Sequence, residues 1–498
     1  MEENKKKNGF VSGIGFVLAA AGSAVGLGNV WAFPYKTATY GGAAFVFVYI
    51  LCILFIGSIA MIAEIYIGKR AEANNVTAYK KIRPSLGWIG LTVCVIPVFI
   101  ACYYSVLGGW TLRFAVNSFQ TTESANNVYS FTAFVSSPYK PVIYTLIIFF
   151  IAAFIITAGV KNGIEKASKI LMPILFIIVV TIAVYALTLG DGVKKGLEFY
   201  LKPDFSKLGF DGVIAAMGQA FYSLSLGMGI MVAYGSYSGK QMKLGKSVAM
   251  ISVFDTLVAL IAGLAIFPAI GALQPDSLGN AQGVGLVFNI LPQIFDKMGG
   301  FGKLVSFLFF IMIAIAAVTS IISLIETGVQ FVIQKYKISR KTATLCLTAF
   351  CGLASVPVAW SVGGAFNGAI SLFGYDLLTF MDELTNTVLM PLGAFCSCLA
   401  IGWLLDQKAT ANPFKTFQTL ERDGLNIGKF GKIFAVMVKY VTPLLILFIE
   451  IVGVYTKISA STSFYAVLVA AVLLIVVCFG VYHLFLKGKP TGTNADER

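Results

Sequence analysis

The stretch Ala21–Pro34, AGSAVGLGNVWAFP, interrupts an apolar run that begins near Phe10. It places three glycines, a serine and an asparagine at the midpoint of a segment that is long enough to cross a bilayer. In hydrocarbon, every backbone N–H and C=O needs a partner, so an unwound segment persists only where ions, substrate or protein groups replace the lost helical bonds. The stretch therefore predicts a helix that is broken around a polar site inside the membrane.

The composition around this stretch is that of a polytopic membrane protein. Of the 498 residues, 58% are hydrophobic and only 12% are charged, so several membrane-spanning segments are expected. Apolar runs separated by polar loops indicate twelve spans, near residues 10–36, 41–68, 86–119, 140–159, 165–189, 211–235, 248–273, 303–333, 343–360, 377–405, 433–456 and 463–486.

The basic residues are distributed unevenly between the two sides of the predicted membrane. If the N-terminus is cytoplasmic, 26 of the 37 Lys and Arg residues fall in inner loops and tails. The positive-inside rule then predicts a multi-pass protein of the cell (inner) membrane with both termini in the cytoplasm. Attraction to the anionic cytoplasmic leaflet accounts for the net charge of +14, so no nucleic-acid partner is expected.

A second interrupted span resembles the first. The sixth apolar run contains Ser223–Gly229, SLSLGMG, five spans after the first interruption and therefore in the opposite orientation. Paired breaks of this kind indicate an inverted-repeat transporter with its site near the bilayer midplane. We therefore divide a single membrane domain, 1–498, into repeats at 10–189 and 211–405 and two accessory helices at 433–486. The alternative is that these glycines only allow straight helices to pack closely.

The chemistry of the first break suits an ion and a carboxylate together. Gly22, Gly26 and Gly28 tolerate the dihedral angles that an unwound segment requires. Free carbonyls at the break provide ligands for a hard cation such as Na⁺, whereas the N–H groups that open the next half-helix face an anion. Asp255, the lone acid between residues 250 and 273, is costly in a membrane unless a cation or proton accompanies it. A neutral, hydrogen-bonded Asp255 is the alternative.

Several motifs together resemble the neurotransmitter:sodium symporter family, especially its bacterial LeuT-like members. They are AGSAVGLGNVWAFP at 21–34, YGGAAF at 40–45, CYYSVLGGW at 102–110, GQAFYSLSLGMG at 218–229 and AAVTSI at 316–321. The resemblance implies an all-α, inverted five-plus-five bundle with helices 1 and 6 broken. It also implies a sodium-coupled amino acid symporter that works by alternating access and is not an enzyme.

The resemblance also implies two sodium sites. One would use the Ala24 carbonyl with the side chains of Asn29, Ser223 and Asp255. The other would use three backbone carbonyls and two hydroxyls, those of Gly22, Val25, Ala316, Thr319 and Ser320. Hydroxyls such as those of Thr319 and Ser320 are also ordinary within membrane helices, where they bond to the preceding turn.

The substrate site follows from the same resemblance. The carboxylate would meet the N–H groups of Leu27 and Gly28 and the Tyr104 hydroxyl, and the amino group would meet carbonyls near Ala24 and Tyr222 and the Ser225 region. The walls at the matching positions are Ile100, Tyr104, Tyr222, Met228, Ser320 and Leu324. Without a charged partner such a pocket rejects charged side chains, so we expect hydrophobic or aromatic amino acids. The alternative substrate is another small zwitterion, such as an osmolyte.

The chain departs from the family pattern at both gates and at the anion site. Ala32 and Thr385 stand where the outer ion pair is usual, and on the inner side Lys7 would face Gln334 instead of an acid. The positions that hold chloride in chloride-dependent relatives match Tyr49, Gln219, Ser223, Asp255 and Ala259. Asp255 stands where many relatives have asparagine, and its negative charge predicts transport without chloride.

Two other classes of membrane protein are less consistent with the sequence. A channel or receptor would not need two broken helices with complementary anion-binding and cation-binding ends. A membrane enzyme would need a nucleophile and a base, and the spans contain no such recurring polar set.

Overall fold

The structure is a computed structural model that describes residues 9–119, 131–239, 242–279, 286–362, 370–405, 418, 420–421, 427, 430–461 and 463–486. Within these residues, ten continuous helical segments are long and apolar enough to cross a bilayer. They are Ala43–Ala71, Pro84–Asn117, Lys140–Thr157, Val160–Ala186, Leu244–Leu273, Gly299–Tyr336, Arg340–Val362, Leu377–Leu404, Gly431–Ser459 and Phe464–Leu484.

Two further segments are broken. Gly13–Ala24 and Gly28–Thr39 meet at an angle of 49° and pass the same test only as a pair. The helices Gly209–Ser223 and Ile230–Ser236 lie on either side of the non-helical residues 224–229. With each broken pair taken as one segment, the described residues contain twelve segments, consistent with the twelve predicted spans, and we number them 1 to 12 in chain order.

Short elements connect the spans in the described part of the chain. The longer helical ones are Asn75–Ile82, Val193–Leu201 and Leu291–Lys297, and Phe131–Val135 precedes span 4. Before span 10, the strands β1 (Ser371–Leu372) and β2 (Tyr375–Asp376) form a small antiparallel hairpin. These elements lie between the spans, so the architecture is all-α apart from the hairpin.

The burial of each span shows its position in the bundle. In the most apolar part of span 8, 83% of residues are buried inside the protein, compared with 22% in span 12. Span 3 packs along span 8, and the first half of span 1 contacts spans 5, 7 and 8. An apolar residue can face lipid or protein at similar cost, so span 12 can lie at the periphery of the bundle. The broken span 1 has backbone groups that need partners, and it is enclosed by protein.

The two breaks differ in their backbone conformation. The first half of span 1 ends at Ala24, and Val25 is extended with ψ of 100°. None of Gly22, Gly26 and Gly28 has a positive φ, so the first break needs no left-handed residue at these three positions. In span 6 the break does require such angles, since Ser225, Gly227 and Gly229 have φ of 54°, 74° and 68°.

Candidate functional site

A small cavity of about 20 Å³ lies where the two breaks face each other. Residues from spans 1, 3, 6 and 8 surround it. Its lining residues are Ser23, Ala24, Gly26, Gly28, Ile100, Tyr104, Tyr222, Ser225, Met228, Ile230, Ser320, Ser323 and Leu324. No Lys, Arg, Asp or Glu is among these described lining residues, so the wall offers hydroxyls, backbone groups and apolar side chains.

Nine of the ten residues predicted to contact substrate line this cavity, and Leu27 is the exception. Four further residues line the cavity that were not predicted to do so, Ser23, Gly26, Ile230 and Ser323. Ser323 follows Ser320 by three residues in span 8, and residues with this spacing share a helix face. That spacing is the signal that could have identified Ser323 from the sequence.

Span 3 contacts the first break through one tyrosine. The Leu27 N–H donates a hydrogen bond to the Tyr104 hydroxyl oxygen over 2.8 Å. A Cβ atom at Gly26 would lie 2.4 Å from that oxygen and 2.6 Å from the Ser320 Oγ. The need for glycine at position 26 is therefore steric, because the break passes directly against spans 3 and 8.

The side chains predicted for the first sodium site form one hydrogen-bonded group. The Asn29 Nδ2 donates to the Asp255 Oδ1 over 2.8 Å and to the Asp255 carbonyl over 2.9 Å. The Ser223 Oγ donates to the other carboxylate oxygen of Asp255 over 2.7 Å. Asp255 is fully buried, so these donors offset part of the cost of placing its carboxyl group in the bundle.

The Asn29 side chain also connects this group to the break. Its Oδ1 accepts a hydrogen bond from the Gly26 N–H over 3.0 Å, and Ala24, two residues earlier, lines the cavity. The structure thus brings the Asn29 amide, the Ser223 hydroxyl and the Asp255 carboxyl group together beside the break, with the amide nitrogen toward the carboxyl group and the amide oxygen toward the Gly26 N–H. Oxygen donors of this kind fit a hard cation such as Na⁺.

The residues predicted for the second sodium site lie in spans 1 and 8. The Thr319 Oγ1 donates to the carbonyls of Ile315 and Ala316 over 3.2 and 3.0 Å, the bonding to the preceding turn that is ordinary in a helix. Between these two spans, the Ser320 Oγ donates to the Ser23 carbonyl over 3.2 Å. On the same segment of span 1 as Ser23, Gly22 packs against span 5 and Val25 is fully buried.

The positions matching the family's anion site surround Ser223. The Tyr49 hydroxyl donates to the Ser223 Oγ over 3.1 Å, and the Gln219 Nε2 donates to the Gly28 carbonyl over 2.7 Å. Ala259 lies one helical turn beyond Asp255 and is fully buried. Asp255 therefore provides the carboxyl group among these five positions.

Glu64 supports the second break in a way that its sequence position did not reveal. Its Oε1 accepts a hydrogen bond from the Gly227 N–H over 2.7 Å, and both residues are buried. Because Gly227 lies outside any helix, its N–H would otherwise lack a helical acceptor. The contact joins two spans that are distant in sequence, which a reading of span 6 alone does not show.

On one side of the cavity the tyrosines of span 3 contact spans 6 and 10. The rings of Tyr104 and Tyr222 have centroids 6.5 Å apart. Thr385, at the position of the usual acid, lies 3.2 Å from the Tyr103 hydroxyl, and Ala32 is buried without a charge. Tyr103 and Thr385 thus form a hydroxyl pair at the position of the usual acid.

On the other side, a different acid forms the ion pair. Glu326 of span 8 pairs with Arg340 and accepts a hydrogen bond from the Tyr237 hydroxyl over 2.8 Å. Gln334, at the position of the usual acid, accepts hydrogen bonds from Asn74. Lys7 lies outside the described residues.

The fold and the cavity define the class of protein. Twelve spans, with the first and sixth broken around a cavity whose described lining residues carry no charged side chain, are the architecture of a LeuT-type membrane transporter. The chain is similar to MhsT in a crystal structure with L-phenylalanine, with a TM-score of 0.80 and 35% identity. That similarity covers 90% of this chain and 99% of MhsT.

Curated relatives agree with this class. The chain is 32% identical to the uncharacterized sodium-dependent transporter YhdH of Bacillus subtilis, over 89% of this chain and 98% of YhdH. It is 27% identical to the sodium-dependent serotonin transporter of Drosophila melanogaster, over 73% of this chain and 66% of that protein.

The family model of the sodium:neurotransmitter symporters matches residues 7–133 and 139–486. The chain belongs to the sodium:neurotransmitter symporter family. It is therefore a multi-pass, sodium-dependent transporter and not an enzyme.

Proposed function

We propose that this protein is a sodium-coupled symporter that imports hydrophobic or aromatic amino acids by alternating access, without a requirement for chloride. The observation that carries the proposal is the cavity between the two breaks, which contains no charged side chain among its lining residues. A zwitterion would enter it with its charged ends at the breaks, where free backbone groups replace charged partners.

The proposed pose places the substrate carboxylate at the start of the second half of span 1. There the Gly28 N–H and the Tyr104 hydroxyl would donate to it, together with the Leu27 N–H once this group leaves Tyr104. The amino group would meet the carbonyls of Ala24 and Tyr222 and the Ser225 hydroxyl. Both ends of the zwitterion would thus exchange water for fixed dipoles, which limits the cost of desolvation.

The side chain of the substrate would contact the apolar part of the wall. Ile100, Met228, Ile230 and Leu324 line the cavity, and neither a cation nor an anion stands among them. A charged side chain would lose its hydration without gaining a partner, so neutral side chains are favoured. The crystal structure of the relative MhsT with L-phenylalanine supports an aromatic amino acid as one substrate.

Two sodium ions would accompany the substrate in this proposal. Ala24, Asn29, Ser223 and Asp255 would hold the first, and the hydrogen-bonded group around Asp255 supports that assignment. The second would bind between spans 1 and 8, at Gly22, Val25, Ala316, Thr319 and Ser320. For this to happen, the Thr319 and Ser320 hydroxyls would turn their lone pairs toward the ion, which hydroxyl rotation permits.

We propose the cell membrane as its location, with both termini in the cytoplasm. The loops and tails that would then be cytoplasmic carry 26 of the 37 basic residues. The partners would be the amino acid, sodium ions and the lipid bilayer.

Uptake into proteoliposomes is the direct test. With an inward sodium gradient, a radiolabelled amino acid should accumulate above its external concentration, and replacing sodium by potassium or choline should abolish accumulation. Competition by a panel of amino acids and osmolytes would then rank the substrates. Accumulation driven by protons without sodium would contradict the proposal, and competition by osmolytes alone would favour the alternative zwitterion.

Tyr104→Phe should weaken substrate binding without unfolding the protein. The change removes the hydroxyl that would donate to the carboxylate, and one lost hydrogen bond to a charged group costs about 1 to 3 kcal/mol. Affinity measured by calorimetry in saturating sodium checks this expectation. Tyr103→Phe is the matched control, because Tyr103 bonds to Thr385 and does not line the cavity. Equal affinity of wild type and Tyr104→Phe would argue against the pose.

A further inference from the structure

A second cavity lies away from the two breaks, where the ends of spans 2 and 10 meet the helix Asn75–Ile82. We call this helix the connecting helix. The cavity has a volume of about 310 Å³, which is room for about ten water molecules. Two of its lining residues are basic, Arg70 and Lys81, and five are apolar, Ile67, Ala71, Ala78, Ile82 and Ile401. The proposed function uses none of these residues.

Hydrogen bonds hold the connecting helix against span 10 on both sides of this cavity. The hydroxyl oxygens of Tyr79 and Ser397 are 2.7 Å apart, and the Arg83 Nε donates to the Leu404 carbonyl over 3.1 Å. Ser397 precedes Ile401 by four residues, so both lie on the face of span 10 that meets the connecting helix. The cavity is therefore enclosed by elements that are bonded to each other.

The charge at the wall of this cavity is positive. The Lys81 Nζ donates to the Ala71 carbonyl over 2.7 Å, which places the ammonium group beside a residue that lines the cavity. Arg70 precedes Ala71, and the side chains of Arg70 and Lys81 are exposed. No Asp or Glu is among the described lining residues, and Glu72, the nearest acid in sequence, does not line the cavity. The wall thus combines two cations with an apolar floor.

This combination lies at the boundary between the hydrocarbon and the polar headgroups. Ile67 and Ile401 belong to the apolar segments Ala43–Ala71 and Leu377–Leu404, near the end of each. In the proposed orientation of the chain, spans 2 and 10 both end at the cytoplasmic face. The lipids of this leaflet include anionic ones, and basic pockets between spans on this side suit their headgroups.

We propose that this cavity binds an anionic membrane lipid by its phosphate group. The planar guanidinium group of Arg70 matches two phosphate oxygens, and the Lys81 ammonium adds a second positive charge. The isoleucines would contact the glycerol backbone and the first carbons of the acyl chains, which free phosphate lacks. The proposal rests on the orientation of the chain and not on its substrate. A lipid held there would join spans 2 and 10 and stabilise the folded protein by mass action.

Lipid binding to the wild type is the first test. Purified protein in detergent is titrated with dioleoyl phosphatidylglycerol or dioleoyl phosphatidylcholine, and native mass spectrometry counts the lipids that stay bound. The first phosphatidylglycerol should bind about tenfold more tightly, because the choline cation offsets the phosphate charge of the other lipid. It should also raise the melting temperature. Equal binding of the two lipids would overturn the proposal, and so would displacement of phosphatidylglycerol by excess inorganic phosphate, which would indicate a site for a free anion.

Removing both cations tests the place of binding. Arg70→Gln combined with Lys81→Gln should weaken phosphatidylglycerol binding about thirtyfold, since each basic residue near an anionic lipid contributes a factor of about five. Lys161→Gln combined with Lys166→Gln is the matched control, because both lysines are exposed near the start of span 5 and do not line the cavity. An equal loss in the control would show diffuse attraction of the lipid and overturn the proposal.

A comparison at one position keeps the test decisive if the double variant does not fold. Lys81→Arg keeps the charge and should bind phosphatidylglycerol like the wild type, whereas Lys81→Gln should bind it about fivefold more weakly. Equal binding by these two variants would overturn the proposal. Because lipid binding is measured without transport, its failure would leave the proposed function intact.

Discussion

Asp255→Ala should raise the sodium concentration needed for half-maximal binding by about 100-fold or more. The substitution removes a carboxylate that is fully buried and accepts hydrogen bonds from Asn29 and Ser223. In the proposed first sodium site this carboxylate provides both a ligand and the charge that balances the ion. Removing one partner of a buried charge pair costs about 3 to 5 kcal/mol, and each 1.4 kcal/mol is a factor of ten in affinity.

The measurement is sodium-dependent substrate binding by the purified variant over a range of sodium concentrations. Thr256→Ala is the matched control, because it changes the next residue of span 7. The Thr256 hydroxyl is buried and has no hydrogen-bond partner in the described part of the chain. The control should keep the sodium affinity of the wild type. If Asp255→Ala also kept it, Asp255 would not be a ligand of the coupling ion.

Uptake by the wild type should be undiminished when gluconate replaces chloride. Uptake by Asp255→Asn should be about tenfold lower in gluconate than in chloride. The Asp255 carboxylate, near Tyr49 and Ser223, would balance the sodium charge directly. A second anion beside it would be repelled strongly in a medium of low dielectric constant. With asparagine in its place, the balancing charge is absent and a chloride ion can supply it.

Initial uptake rates in proteoliposomes, at matched sodium gradients, test this expectation. Adding Ala259→Glu to the Asp255→Asn variant places a carboxylate one helical turn away and should restore uptake in gluconate. Strong stimulation of the wild type by chloride would show that an anion site coexists with Asp255. Repeating the assay at acidic pH provides a further check, since a protonated Asp255 would leave the sodium charge unbalanced and produce a chloride requirement.

The sequence determined the membrane architecture because the rules behind it are local. A span is recognised from its own length and hydropathy, and both broken spans are recognised from polar and glycine residues within them. All twelve spans and both breaks appear where the pattern predicts them, with ends that differ by a few residues. Most of the cavity wall was also predicted. The motifs around Tyr104, Tyr222 and Ser320 carry the family resemblance, and the wall residues follow from matching positions.

Only the tertiary structure decided which groups meet across the spans. The sequence gives no sign that Glu64 satisfies the Gly227 N–H, or that Ser23 and Ser323 share a hydrogen bond, because these partners are separated by 163 and 300 residues. It also does not show that the small size of Gly26 matters because Tyr104 and Ser320 approach it closely. Hydropathy places a helix in the membrane, but lipid and protein are both apolar surroundings, so the rotation and neighbours of each helix depend on packing and polar contacts with distant spans.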